Sequence, residues 1–275
     1  MERKRPRRPS PPPQRLGAVV LSRALSGEAD LVATFLTREL GLLTALAKNA
    51  RKSVRRFGGG LLYPGAAAYY DFRVREGSEF AFVERGEFNP KAPVLPPDPV
   101  IQALAAWALE LTRAFEAPRN PAPKSFNLLL RHLGALAQIG PEEYPYLRLR
   151  SQSIAFTKLY MELAGFGPDF DHCWVCGSKT SAHADYLIEG TDPFVICPAC
   201  ADSYPASPGR LLQGTALVQL KGIKDLKKPP VFDDEGLRAL EYFYQSLAAS
   251  SSGRVFKTRK ALKGFLDEAE GPDPP

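Results

Sequence analysis

The sequence predicts a multidomain α+β protein: a small five-stranded β-barrel in front, then an α-helical domain carrying a four-cysteine lobe. Three observations predict it. Short apolar runs separated by glycine turns fill residues 17–88. Beyond a proline-dense stretch, the apolar period lengthens from two to about 3.6. Two C-x2-C pairs then stand 20 residues apart, between the third and fourth helical stripes. A chain of 275 residues has room for two or three such units.

Residues 1–15 hold five prolines and six basic residues with almost nothing apolar, and are expected to form a disordered basic arm. Arg3–Arg8 followed by Leu16–Leu21 imitates a secretory signal, but the apolar run is short, Arg23 breaks it, and no small-residue cleavage site follows. No run approaches 18 apolar residues, so no membrane span and a cytoplasmic setting are expected.

Strands are expected at Ala18–Leu21, Leu31–Leu36, Leu42–Leu46, Ala68–Val74 and Glu79–Val83, with Gly27 and Gly41 in turns and Glu76-Gly77-Ser78 closing a hairpin. Five short strands in about 70 residues suit an OB-fold barrel over 16–88. Pro90, Pro93, Pro96, Pro97 and Pro99 make 89–99 a stiff linker. The helical domain occupies 100–170 and 206–268, around a cysteine lobe at 171–205, and 269–275 is a disordered tail. Its apolar stripes are Ile101–Phe115, Phe126–Leu136, Ile154–Leu163 and Leu237–Leu247, the last capped by Asp233 or Asp234, with a short closing helix at Leu262, Phe265 and Leu266.

Charge is uneven. Residues 1–60 carry thirteen basic and four acidic side chains, a net of +9, whereas the other 215 carry 23 and 26, a net of −3. That asymmetry fits a polyanion partner, because neutralising phosphates releases counterions; a solubilising tail is the plainer alternative. Lys48, Arg51, Lys52, Arg55 and Arg56 fall within nine residues after a strand, as a cationic loop at one rim of the barrel, and Arg38 in the preceding turn can join it. Tyr70 and Phe72 share one face of the next strand and Tyr69 the other. OB barrels bind single strands with a basic groove and stacking rings, each stack worth about 1–3 kcal/mol; two of the three rings are expected in the core and at most one, Tyr69 or Tyr70, at a base, with Tyr70 the candidate. A second basic stretch, Arg254, Lys257, Arg259, Lys260 and Lys263, either extends this track or forms the solvated face of a terminal helix.

Cys173-Trp174-Val175-Cys176 and Cys197-Pro198-Ala199-Cys200 form two metal-binding knuckles, with Gly177 as the turn residue after the first. The expected cofactor is one structural zinc ion per chain held by Cys173, Cys176, Cys197 and Cys200, with iron in a similar cage as the alternative. Four thiolates leave no open position for substrate. His172 and His183 are read as neighbours and not ligands. A redox reading would place C-x-x-C at a βαβ mouth, which the pattern lacks.

Catalytic patterns are missing. The sequence has no phosphate-cradling G-x-x-x-x-G-K-[ST], no G-x-S-x-G and no H-E-x-x-H. Glu28 and Asp30 read as a polar turn in preference to nuclease metal ligands, and Asp233-Asp234-Glu235 as a helix start. The reading is of a non-enzyme, against two rivals: a zinc-containing nuclease, and an OB protein acting on RNA.

Taken together, the chain resembles the bacterial recombination mediator family RecO from about Leu16 to Leu266. The resemblance rests on Gly27-Glu28-Ala29-Asp30, Thr37-Arg38-Glu39-Leu40-Gly41 and Lys48-Asn49-Ala50-Arg51 in front, on Gly165-Phe166-Gly167-Pro168 with the cysteine knuckles in the middle, and on Arg254 to Leu262 at the end. Asn49 stands where the family pattern has glycine, though Asn tolerates a left-handed turn, and the arm before Leu16 is longer than is general. The resemblance implies an OB barrel, a helical domain and a zinc lobe. It implies binding of single- and double-stranded DNA, and annealing of complementary strands, including those coated by single-stranded DNA-binding protein (SSB). It further implies RecA loading together with RecR, at the nucleoid, and a contact between the helical domain and the acidic, hydrophobic-ended tail of SSB. Arg113 and Arg131 are candidate cations for that tail.

Overall fold

The computed structural model describes residues 11–75, 77–78, 80–139, 145–191, 193–204 and 209–258. Most of the expected arm, the closing helix at Leu262–Leu266, the tail, and both Arg259 and Lys260 lie outside the described residues. The chain divides into two compact units, one of residues 1–92 with 116–126 and one of 93–115 with 127–275.

The first unit is a closed barrel of β1 (Gln14–Ser26), β2 (Asp30–Thr37), β3 (Gly41–Ala47), β4 (Ala67–Arg73) and β5 (Ala81–Phe88), in the order β1-β2-β3-β5-β4. A 3-10 turn at Ala50–Lys52 and the one-turn helix α1 (Val54–Phe57) fill the β3–β4 connection. β1 is long enough to pair with β4 through Gln14–Val19 and with β2 through Ala18–Ser26, and its irregularity between Val20 and Ser22 bends it from one neighbour to the other. Gln14 and Arg15, expected in the arm, therefore open a strand. β3 and β5 run parallel and close the cylinder.

Alternation decides what fills it. Phe35, Tyr70 and Phe72 meet edge-on or tilted at ring-centroid distances of 4.9–5.8 Å. Around them the inward positions of the strands are small, Ala33, Ala45, Ala47, Ala68 and Ala81, which leaves room for three rings in a narrow barrel. Burying each ring contributes about 1.5–3 kcal/mol.

Residues 116–126 complete this unit. Leu42 N–H donates to the Ala117 carbonyl (3.4 Å), Arg119 N–H to Leu42 (3.1 Å) and Ala122 N–H to Arg38 (3.2 Å), so the segment lies along the β2–β3 turn. Gly41 sits there at φ 58°, and a Cβ on it would fall 1.9 Å from the Asn120 carbonyl oxygen.

The second unit contains α2 (Pro99–Phe115), α3 (Pro123–Gln138, after its first residues), α4 (Pro145–Leu163), α5 (Pro198–Ala201), α6 (Gly214–Gly222) and α7 (Asp234–Ser252). Pro99, expected as the last linker residue, is the first residue of α2, where its fixed φ suits a helix start, and Asp98 caps it by accepting from Ile101 N–H (2.9 Å). Asp233 caps α7 through Gly236 N–H (2.8 Å), and Gly253 ends it at φ 63°. α4 starts two turns before its apolar stripe because Arg150, Ser151, Gln152 and Ser153 are buried there despite their polarity. The cysteine lobe carries a three-stranded antiparallel sheet, ordered β7 (Phe194–Ile196), β6 (Asp185–Glu189), β8 (Arg210–Gln213).

Candidate nucleic-acid interface and metal centre

The basic segment after β3 is held by the turn between β1 and β2. Asn49 takes the left-handed conformation (φ 52°), which aims its N–H at Asp30 Oδ1 (2.7 Å). Arg51 N–H donates to the Ala29 carbonyl (3.1 Å) and Arg51 Nη1 to that of Glu28 (2.8 Å). The Glu28–Asp30 turn is thus a scaffold for the basic segment. Arg56 turns back on the same segment, donating to the Lys48 carbonyl (2.6 Å) and to Ser53 Oγ (2.9 Å). Carbonyl and hydroxyl acceptors orient these guanidiniums without neutralising them. Lys48, Arg51, Lys52 and Arg55 are exposed, and Arg56 is half-buried.

Beside this ridge, on the outer wall formed by β3, β5 and β4, lies a groove of about 450 Å³. Lys48, Arg56, Arg73, Arg75 and Phe82 line it, with Glu84 as its single carboxylate among the described residues. Lys48 Nζ and the Arg75 guanidinium stand 5.3 and 5.8 Å from the Phe82 ring centroid. Arg73 pairs with Glu84 at 2.6 Å. Cations around a half-exposed ring are the elements that hold phosphates and stack a base. Arg73, Arg75 and Phe82 were not singled out from the sequence; the signal was the alternation of β5, which puts Ala81 and Val83 inside and Phe82 outside.

The other expected residues distribute as follows. Tyr70 is a correction: it has 0% exposure, its hydroxyl donates to the Leu61 carbonyl, and burial raises its pKa, so no base reaches it. Tyr69 faces outward at 40% exposure with the Arg15 guanidinium 5.3 Å away. Arg38 is exposed in the β2–β3 turn. Arg254 and Lys257 are exposed but belong to the second unit. Their segment is fastened to α2: Glu110 accepts from Lys257 N–H (3.1 Å), Thr258 N–H (2.9 Å) and Thr258 Oγ1 (2.7 Å), and Phe256 packs 5.2 Å from Trp107. Arg113, on α2, and Arg131, on α3, are both exposed.

The four cysteine sulfurs lie within 4.8 Å of one another. Gly177, at φ 70°, donates N–H to the Cys173 carbonyl (2.9 Å), which folds the first knuckle. Pro198 starts α5 within the second. Cys197 N–H points at Cys173 Sγ (3.3 Å), and Cys176 Sγ is 3.7 Å from Cys197 Sγ. Crowding sets the sulfurs against one another. A hydrogen bond from Ser178 pulls the Cys176 thiol down to about 6, while the Cys197 side chain pushes Cys200 up to about 12. Four thiolates this close need a cation between them, so the donor set fits a tetrahedral divalent metal. His172 binds Asp169 (3.2 Å) and His183 is exposed; neither joins the cluster.

The model of the family described as "Recombination protein O N terminal" matches residues 14–89, and that described as "Recombination protein O C terminal" matches 96–252. A DNA repair protein RecO from Anaeromyxobacter sp. (strain Fw109-5) is 31% identical over 262 residues, covering 92% of this chain and 95% of the relative. The proteins of that name from Frankia casuarinae and Geobacter metallireducens are 34% and 30% identical, over 70% and 71% of this chain and 77% and 75% of their own lengths. Among the described residues, no helix is long and apolar enough to cross a membrane.

Proposed function

We propose that this chain, which belongs to the RecO family of DNA repair proteins, is a non-enzymatic, ATP-independent mediator that anneals complementary single strands, including strands coated by SSB. The observation that carries this reading is the ridge at 48–56, in which Arg51 and Arg56 are oriented by carbonyl oxygens and so keep their full charge beside a groove containing an aromatic ring. Such a surface screens the repulsion between two phosphate backbones and leaves base edges free to pair. Double-stranded product would be held by the same charge. RecR, the SSB tail and, through them, RecA are the partners that the family reading supplies, with Arg113 and Arg131 as candidate tail contacts. The four cysteines would hold one zinc ion, whose role is to tie the lobe together. A nuclease reading is less favoured, because Asp30 Oδ1 accepts from Asn49 N–H and the Glu28 backbone carbonyl from Arg51, which makes this turn a scaffold for the basic segment.

The test is annealing of two complementary oligonucleotides coated with SSB from the same organism, without nucleotide. Faster annealing with both strands recovered intact is expected. Tight DNA binding with no acceleration would overturn the mediator reading, and cleaved strands would establish the nuclease.

A further inference from the structure

A second cavity, of about 500 Å³, opens on the barrel and shares no residue with the groove described above. Its floor is the end of the barrel core, Leu31, Phe57 and Leu62, and its rim carries Arg23, Arg51 and Tyr63. The Arg23 guanidinium lies 3.7 Å from the centroid of the Tyr63 ring, and Tyr63 is 58% exposed. No carboxylate lines this cavity among the described residues.

The ridge serves both hollows. Arg51 faces the one at the barrel end, while Lys48 and Arg56, a few residues away on the same segment, face the one on the outer wall. We propose that the barrel-end cavity is a second single-strand track, so that one barrel holds two strands, one on either side of the ridge. Two guanidiniums, with no carboxylate among the described lining residues, select an anionic occupant. A planar guanidinium resting on an exposed phenol ring makes a flat platform of the kind on which bases stack. Sharing the ridge places two phosphate backbones about the same row of cations, which is what annealing requires and what a single groove does not supply. The inference rests on the annealing reading above, and its test separates the two.

The full-length protein is titrated with dT5, near the short end of the roughly 4–16 nucleotides that one OB fold covers and unable to pair with itself, and strands per chain are counted; annealing of complementary strands is measured in parallel. R23E with Y63A should lower the count by one strand per chain, keep the remaining affinity within twofold, leave the melting temperature unshifted, and slow annealing at least tenfold. K48E with F82A should also lower the count by one, and the fourfold variant by two. If R23E with Y63A leaves the count and the annealing rate unchanged, as it would if the cavity seated a peptide, the second track is overturned. Loss of all binding in either double variant would mean one continuous site and overturns it equally. A wild type that anneals while binding one strand per chain refutes the second track alone; a wild type that binds none refutes the functional reading with it.

Discussion

In the barrel, Arg51 and Arg56 donate to the carbonyl oxygens of Glu28 and Lys48, and Arg119 to those of Arg75 and Ser78. In the helical unit, Arg150 donates to both oxygens of Glu241 (2.9 and 3.0 Å) and to Asp234 (2.6 Å), while Lys158 pairs with Glu162 (2.7 Å) and Lys221 with Asp171 (2.6 Å). A carbonyl orients a cation and leaves its charge in place; a carboxylate cancels it. Arg150 is accordingly 3% exposed and joins α4 to α7, whereas Arg51 stands at the surface. Carboxylate-paired cations occur on the barrel too: Arg15 with Glu87 is an exposed pair of the kind that contributes little, while Arg73 with Glu84 and Arg85 with Asp71 are partly buried and brace the wall formed by β4 and β5. The acceptor, more than the residue type, separates a cation that binds from one that builds.

The largest effect should come from the extreme case of compensation, the cysteine lobe. C173S with C176S should release the metal and abolish the folding of the lobe, since structural zinc contributes about 10–16 kcal/mol in small zinc domains. Metal content and thermal melting check this, and a variant that keeps both refutes the assignment. Next, E241A strips Arg150 of its bidentate partner in a buried place, at an expected cost of about 3–5 kcal/mol in urea unfolding. A loss below about 1 kcal/mol would mean the pair behaves like a surface pair.

His132 tests the same idea through pH. It is fully buried against Phe156 (4.4 Å between ring centroids), neither ring nitrogen has a partner among the described residues, and burial lowers its pKa to about 3. The unfolded chain takes up the proton first, so its contribution is intact above pH 6.5 and is lost as pH falls towards 3, amounting to about 2 kcal/mol at pH 5. H132F should flatten that acid limb in urea titrations at pH 7 and pH 5; an unchanged limb would place the acid sensitivity elsewhere. The smallest stability effect belongs to the ridge. K52E with R55E should shift unfolding by no more than about 0.5 kcal/mol. It should nonetheless flatten the salt dependence of single-strand binding by about 0.7 per lost phosphate contact. An unchanged salt slope would remove these residues from the interface.

Period and spacing carried the first four barrel strands, four of the helices and the cysteine cluster, because in each the informative residues are near neighbours in the chain. The fifth strand, expected at 79–83, runs Ala81–Phe88, and the three strands of the cysteine lobe were not anticipated. Period and spacing were silent where buried residues are polar, as at Arg150–Ser153, and at α6, whose nine residues between Gly214 and Gly222 show no clear stripe. They also missed the grooves. Arg23 meets Tyr63 forty residues on, and Lys48 meets Phe82, only because the barrel closes. Tyr70 was misplaced because alternation says that it shares a face with Phe72 without saying which face is the interior; the surrounding alanines decide that, and all of them but Ala68 lie on other strands.

Gly41 and the segment laid against it bear on the order in which the molecule is made. When the ribosome has released residues 1–92, all five strands exist, yet the carbonyls of Arg38 and Leu42 and the Leu42 N–H still lack the partners they take from Ala117, Arg119 and Ala122. The first unit is finished only when Phe126 has emerged, after the whole of α2 has been synthesised in between. A fragment cut at the apparent boundary after Ala92 is therefore an unfinished barrel, and the shortest piece that contains the first unit entire must run past the start of the second.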